Sequence, residues 1–420
     1  MTAIVGFMNK RGIAMAADSA VTLGNTHKVM NSGNKIFTLS KYAPIGVATY
    51  GNDSFMETPW EIVIKLYRKQ LGKRKYGTVN EYIDSFIAYM HDQNFFMTED
   101  HKKIELRNKA IWFYNASVEN SRKRDGYTDS SKLYYLDQEL QECRQRNLTS
   151  TQLPEMVGYN YEEFENYFQE TFHANKNSFP LLSTEDLKTA FLQAFYQYLQ
   201  VYVKYSHDSG LVFFGYGDNE IYPSMVNIEV SDAFDGRLRY LKLENSSDTI
   251  KNFESTACII PFAQTDVVQT VIGGINPSFG DILQNSMVNI LNQYRNIAIQ
   301  AITQTGVNPQ AIKAISALNN NAFAQRFMQM ATNEFQANYT NPLINTVANL
   351  SKEDMANLAE SLVELTSLVR RMSPGEETVG GPVDVAVITK GDGFIWLKRK
   401  HYFDSKLNTN FLNTYNDDEL

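Results

Sequence analysis

Apolar positions in "TAIVGFM" (2–8) and "IAMAADS" (13–19) fall on both faces of a pleat, the pattern of strands covered from both sides. The polar "NKRG" between them predicts a tight hairpin turn, with Gly12 supplying the permissive backbone. "NKIFTLS" and "APIGVATYG" follow, short, apolar and bounded by turn residues, so antiparallel strands are expected through Gly51. After Ser54 the apolar period lengthens to three and four residues. Helices are predicted over "WEIVIKLYRKQL" and over "TVNEYIDSFIAYMHD", the second capped by Thr78.

From 95 to 205 the pattern stays helical, with a polar break at 124–131. Strands return in "GLVFFGYGDNEIYPSMVNIEV" and "GRLRYLKLE", and an Asn/Gln/Ala-rich helical stretch follows over 265–345. "LSKEDMANLAESLVELTSLVRRM" has the clearest amphipathic pattern. Its expected face is Met355, Leu358, Leu362, Leu365 and Val369, and Ser351 with Asp354 makes a capping-box-like start. "GGPVDVAVITKGDGFIWLKRKHYF" predicts two closing strands around Gly-Asp-Gly. Strands covered on both faces and flanked by helices imply an α+β class, a four-layer αββα sandwich of two mostly antiparallel sheets.

Composition narrows the function classes. The chain has 420 residues with net charge −8, which argues against nucleic acid as a partner. Cys143 and Cys258 lie far apart and form no CxxC, so neither a disulfide framework nor a zinc site is expected. The first apolar stretch is too short and too interrupted for a leader or a membrane span, and a cytoplasmic location is expected. "RKQLGKRKYG" is basic but sits at a helix end, where cations complement the dipole. "VIGGINPSFGD" lacks the Lys and the spacing of a phosphate loop. "HDSG" at 207–210 places three triad residue types side by side, and neighbours in sequence rarely form a triad.

The stretch "TAIVGFMNKRGIAMAADSAVTLGN" resembles proteasome β-subunits and the peptidase subunit of their bacterial ATP-dependent relatives, members of the N-terminal-nucleophile hydrolases. In that family a threonine begins the first strand and an aspartate closes the "AAD" of the second, which Thr2 and Asp18 match. The family lysine corresponds to Lys35 in "NKIFTLS", and the glycine that donates its N–H to the oxyanion corresponds to Gly51 in "VATYGND". Thr49 and Asp53 flank Gly51 where the family builds a specificity pocket. Two departures stand out. "CIIPFAQTD" replaces a Gly-Ser-Gly run, and "EETVGG" has Glu376 for the family aspartate and Val379 for its serine. The resemblance covers about the first 95 residues, 210–270 and 350–400. It leaves 95–205 and 275–348 as helical insertions in a single 1–420 domain.

The resemblance implies a threonine peptidase acting on peptide or unfolded protein, without a cofactor, in a homo-oligomeric ring with an ATP-dependent unfoldase as partner. Once Met1 is removed, Thr2 carries hydroxyl nucleophile and α-amine base on one residue. That amine has an unperturbed pKa near about 8 and is partly neutral at cytoplasmic pH. Lys35 would favour the ionised hydroxyl and Asp18 would orient Lys35. The Gly51 N–H would bind the oxyanion, a contribution of about 2.7–4 kcal/mol for one donor. Two other readings remain open: a catalytically silent ring or scaffold subunit, and an amidohydrolase of the same fold acting on a small molecule.

Overall fold

A computed structural model describes residues 2–23, 28–92, 97–203, 208–304, 309–373, 379–401, 403 and 407. In chain order its strands and helices are β1 (Ala3–Asn9), β2 (Gly12–Ala17), β3 (Val21–Leu23), β4 (Lys28–Met30), β5 (Ile36–Thr38) and β6 (Ile45–Gly51). The short pair β7 (Ser54–Phe55) and β8 (Thr58–Pro59) leads into α1 (Trp60–Leu71) and α2 (Val79–Asp92). Helices α3 (Glu99–Arg122), α4 (Lys132–Leu148), α5 (Tyr161–Ala174) and α6 (Glu185–Gln200) follow. Next come β9 (Ser209–Gly215), β10 (Ser224–Phe234), β11 (Arg237–Lys242), β12 (Asp248–Thr249) and β13 (Ala257–Ala263). The chain continues with α7 (Asp266–Gly273), α8 (Pro277–Gln304), α9 (Pro309–Ser316), α10 (Asn320–Phe335), α11 (Asn341–Val347) and α12 (Lys352–Met372), followed by β14 (Asp384–Thr389) and β15 (Gly393–Lys398). The class is α+β with two mostly antiparallel sheets, as the pattern predicts.

The chain divides into two compact units. The first takes residues 1–33, 250–387 and 395–420. Its sheet runs β13-β1-β2-β14-β15, with Ala3 opposite Ala263 and Ile4 opposite Ala17. Pro261, which has no N–H to donate, lies on the edge strand β13, where a missing ladder bond is tolerated. Every residue of β1 and β2 is buried. The turn between them is not built on Gly12, which is the first residue of β2 and pairs with Asn9. Instead the Asn9 side-chain oxygen accepts the Arg11 N–H at 2.8 Å, an Asx-type closure. The Asn9 amide donates onward to the carbonyls of Val347 and Leu350, at 2.9 and 3.1 Å, tying the hairpin to the end of α11.

Helix α12 packs on β1 and β2, and its Ser351 side chain caps the Asp354 N–H at 3.1 Å. The packed face differs from the expected one. Met355 is buried as predicted, but Leu358 is exposed, and the face against the sheet is Ala356, Ala359, Val363, Thr366 and Ser367. The opposing strand positions Ala3, Val5, Ala14 and Ala16 are small, so the helix comes close and seats small residues. Leu362, also expected on this face, packs against the same core half-buried.

The second unit takes residues 34–249 and 388–394. Its sheet runs β11-β10-β9-β6-β5, with β12 paired to β10. Trp60, Tyr67, Tyr82 and Phe86 of α1 and α2 pack with Val47, Leu211 and Phe213 of the sheet. Thr78 caps α2 as predicted, accepting the Glu81 N–H at 3.2 Å. Helices α3–α6 enclose an aromatic core of their own, in which Phe113, Phe164, Phe168, Phe172, Phe191 and Phe195 are buried. Long-range burial of that kind, rather than helix propensity, holds such a segment together.

Candidate active site

Thr2 begins the sheet register. It is buried, its carbonyl accepts the Gln264 N–H at 3.2 Å, and the next residue pairs with the end of β13. Gln264 is itself held by the Arg370 side chain, which also ion-pairs with Asp266. Asp18, at the end of β2, gathers three backbone donors. Its Oδ1 accepts the Ala3 N–H at 2.9 Å, and its Oδ2 accepts those of Ala20 and Gly380, at 3.2 and 3.1 Å. The Asp18 carboxylate therefore fixes the peptide directly following Thr2. Such charge-assisted bonds are about twice as strong as neutral ones.

The segment after α12 is fastened to the same corner. Ser19 N–H donates to the Gly380 carbonyl at 3.0 Å, Ser19 Oγ to the Pro382 carbonyl at 2.5 Å, and Ser367 Oγ to the Val379 carbonyl at 3.2 Å. Sequence reasoning missed Ser19, Ser367 and Gly380. The signal available was the pair of glycines in "VGG", which allows close backbone approach. Glu376 lies outside the described residues.

Lys35, Thr49, Gly51 and Asp53 belong to the second unit. Lys35 directly precedes β5 and is buried, and its carbonyl accepts the Thr49 N–H at 2.8 Å. Thr49 is buried on β6. Gly51 ends that strand with φ of +80°, and a Cβ there would lie 2.3 Å from the Asp208 carbonyl oxygen. Asp53 is exposed, and its carbonyl accepts the Trp60 N–H at 3.0 Å at the start of α1.

A pocket of about 350 Å³ lies within this second unit. Asn52, Ser54, Met56 and Glu57 form one side, and Glu105, Asn108, Lys109 and Trp112 of α3 form another. Thr49 and Asp53 do not line it. Its floor holds a buried charge cluster. The register of β10 with β11 breaks between Val230 and Ala233, and Asp232 within that break ion-pairs with Lys109 and Arg239. Burial opposes ionisation of Asp232, but Lys109 and then Arg239 outweigh it and hold the carboxyl below its ordinary value. Burial pulls the Lys109 ammonium below its ordinary value, with Asp232 opposing. Among the described residues no group of His, Cys, Asp and Glu could hold a metal ion, and no helix is long and apolar enough to cross a membrane.

No protein-family model and no curated protein matches the sequence. Three solved structures of Anbu proteins align over 99% of this chain. The Anbu (Gly-1) mutant from Hyphomicrobium sp. strain MC1 is 10% identical over 94% of its own chain, with a TM-score of 0.32. Anbu (ancestral beta-subunit) from Yersinia bercovieri is 7% identical over 95% of its chain, at 0.29. The helical assembly of the Anbu complex from Pseudomonas aeruginosa is 9% identical over 95%, at 0.27. Superpositions at this level establish neither a shared fold nor a shared activity. The resemblance drawn from the first residues is corrected here: no family model matches, the neighbours named are Anbu proteins, and membership of the proteasome β-subunit and bacterial peptidase-subunit family is not supported. The unfoldase partner implied by that resemblance rested on it alone.

Proposed function

We propose that the chain is an N-terminal-nucleophile amide hydrolase, a threonine-type peptidase in which Thr2 is nucleophile and its α-amine is base once Met1 is removed. The observation that carries this reading is the Asp18 carboxylate, which binds the Ala3 N–H and so holds the backbone beside Thr2 in a buried, fixed register. Preorganisation of that kind lets a weak hydroxyl nucleophile work. In the reaction the amine takes the Thr2 Oγ proton as Oγ bonds to the substrate carbonyl carbon. The tetrahedral intermediate collapses as the C–N bond breaks and the leaving amine receives that proton. Water, deprotonated by the same amine, then attacks the ester carbon, and the amine returns that proton to Thr2 Oγ as the ester C–O bond breaks and the acid leaves. The reading gives Lys35 the charge that favours the ionised hydroxyl, and gives the Gly51 N–H the oxyanion.

Intact mass of the protein from its host, with turnover of a fluorogenic peptide library, tests the reading. A mass lacking Met1, turnover by the native chain and none by a folded Thr2→Ala variant are expected. Full activity with Met1 retained would overturn the mechanism.

A further inference from the structure

We propose that the outward apolar faces of α8 and α10 form a self-association surface on which a second copy of this chain docks. Helix α8 runs for 28 residues, and no residue of it is buried. Phe279, Ile290, Tyr294 and Ile297 recur at helical spacing along one stripe, and Phe323 and Met330 do so on α10. These six side chains are 54% to 70% exposed. The two helices already use other positions against each other. Asn320 donates to the Asn292 side chain at 2.8 Å, and Arg295 donates to the carbonyl of Leu318, in the segment just before α10, at 3.3 Å. The exposed stripes are therefore not the seam of this hairpin.

Area and charge together select the occupant. Exposed by more than half, each of the six side chains presents roughly 100 Å². The sum is about 600 Å², approaching the ~800 Å² that each partner contributes to a stable interface. Residues 277–347 carry only Asp281, Arg295, Lys313, Arg326 and Glu334 as charges, a net of three positive minus two negative, or +1. The rest of the chain then holds −9 of the total −8. With so little net charge, this stretch brings no strong like-charge repulsion to a contact between two copies. An anionic lipid surface would call for a cationic rim, and three cations in 71 residues do not make one. An uncharged surface that matches itself is the isologous patch from which two-fold dimers are built.

Sedimentation velocity of the full chain across 1–50 µM (about the range in which standard interfaces assemble) tests the proposal. Wild type is expected to form dimers or larger species. Tyr294→Glu with Phe323→Glu should weaken association by about 30-fold or more, as loss of buried aromatic anchors does, with an unchanged circular dichroism spectrum and melting temperature. Ile221→Glu, an exposed apolar site elsewhere, should associate as wild type does. A monomeric wild type, association unaffected by the double substitution, equal loss with Ile221→Glu, or a monomer that floats with phosphatidylcholine vesicles would each overturn it.

Discussion

Substituting Asp18→Asn separates what the carboxylate does for the fold from what it does for chemistry. Its two oxygens accept three buried N–H groups: Ala3 on Oδ1, and Ala20 and Gly380 on Oδ2. An amide offers one oxygen. Whichever way it turns, at least one of these N–H groups faces an NH₂ donor and is orphaned, at a cost of about 1–3 kcal/mol. The surviving bonds fall from charge-assisted to neutral, roughly another 0.5–1 kcal/mol each. The expected loss is therefore about 2–5 kcal/mol, localised where β2, the Thr2–Ala3 peptide and the 379–382 segment meet. Amide hydrogen exchange reads it residue by residue. At least one of the three amides should lose protection by about 30-fold or more, and the urea midpoint should fall. Unchanged protection at all three, with an unmoved midpoint, would refute the geometry. Lost turnover with unchanged protection would assign Asp18 to chemistry alone.

Three further outcomes follow from single groups. Lys35→Ala should lower the rate by about two orders of magnitude, and Lys35→Arg should not restore it, because a planar fork does not replace a compact ammonium; near-normal peptide turnover in either variant would remove Lys35 from the mechanism. Asp232→Asn removes the carboxylate that ion-pairs with both Lys109 and Arg239, and should cost about 3–5 kcal/mol at pH 7. Because the folded carboxyl is held below its ordinary value, that stabilisation is fully present above the unfolded pKa of about 4 and is lost as pH falls further. The gap between the urea midpoints of wild type and variant should thus narrow as pH falls from 7 to about 3, roughly one unit below that pKa, and an equal gap at both pH values would refute the assignment. Gly51→Ala should lower the melting temperature, since φ of +80° and the Asp208 carbonyl both exclude a Cβ, and an unchanged melting temperature would show that the strand end yields freely.

Much of the fold was legible because one-dimensional periodicity reports burial. The doubly apolar β1 and β2, the Thr78 and Ser351 caps and the position of α12 all follow from it. What it does not report is distance. The pattern of α12 picks out its large residues as the core face, yet the strands beneath carry alanines, and close approach favours Ala356, Ala359 and Val363 instead. Gly12 fails for a related reason. A glycine beside a turn suggests backbone freedom, but an Asx closure by Asn9 leaves none to be used.

The site was legible to a different depth. The resemblance of the first residues nominates Thr2 and Asp18, and the structure gives both a defined place in the first unit, with Asp18 bonded to the peptide after Thr2. The partners that hold this corner, Ser19, Ser367 and Gly380, come from opposite ends of the chain, and most of them act through backbone groups that every residue possesses. No side-chain code marks them. The same holds for the pocket: Asp232 acquires its neighbours from a register break in β10 and from α3, 123 positions before it at Lys109. A break in register changes which face a side chain occupies without changing its identity. Sequence therefore nominates the residues that would react, while the groups that hold them emerge only when distant backbone segments are brought together.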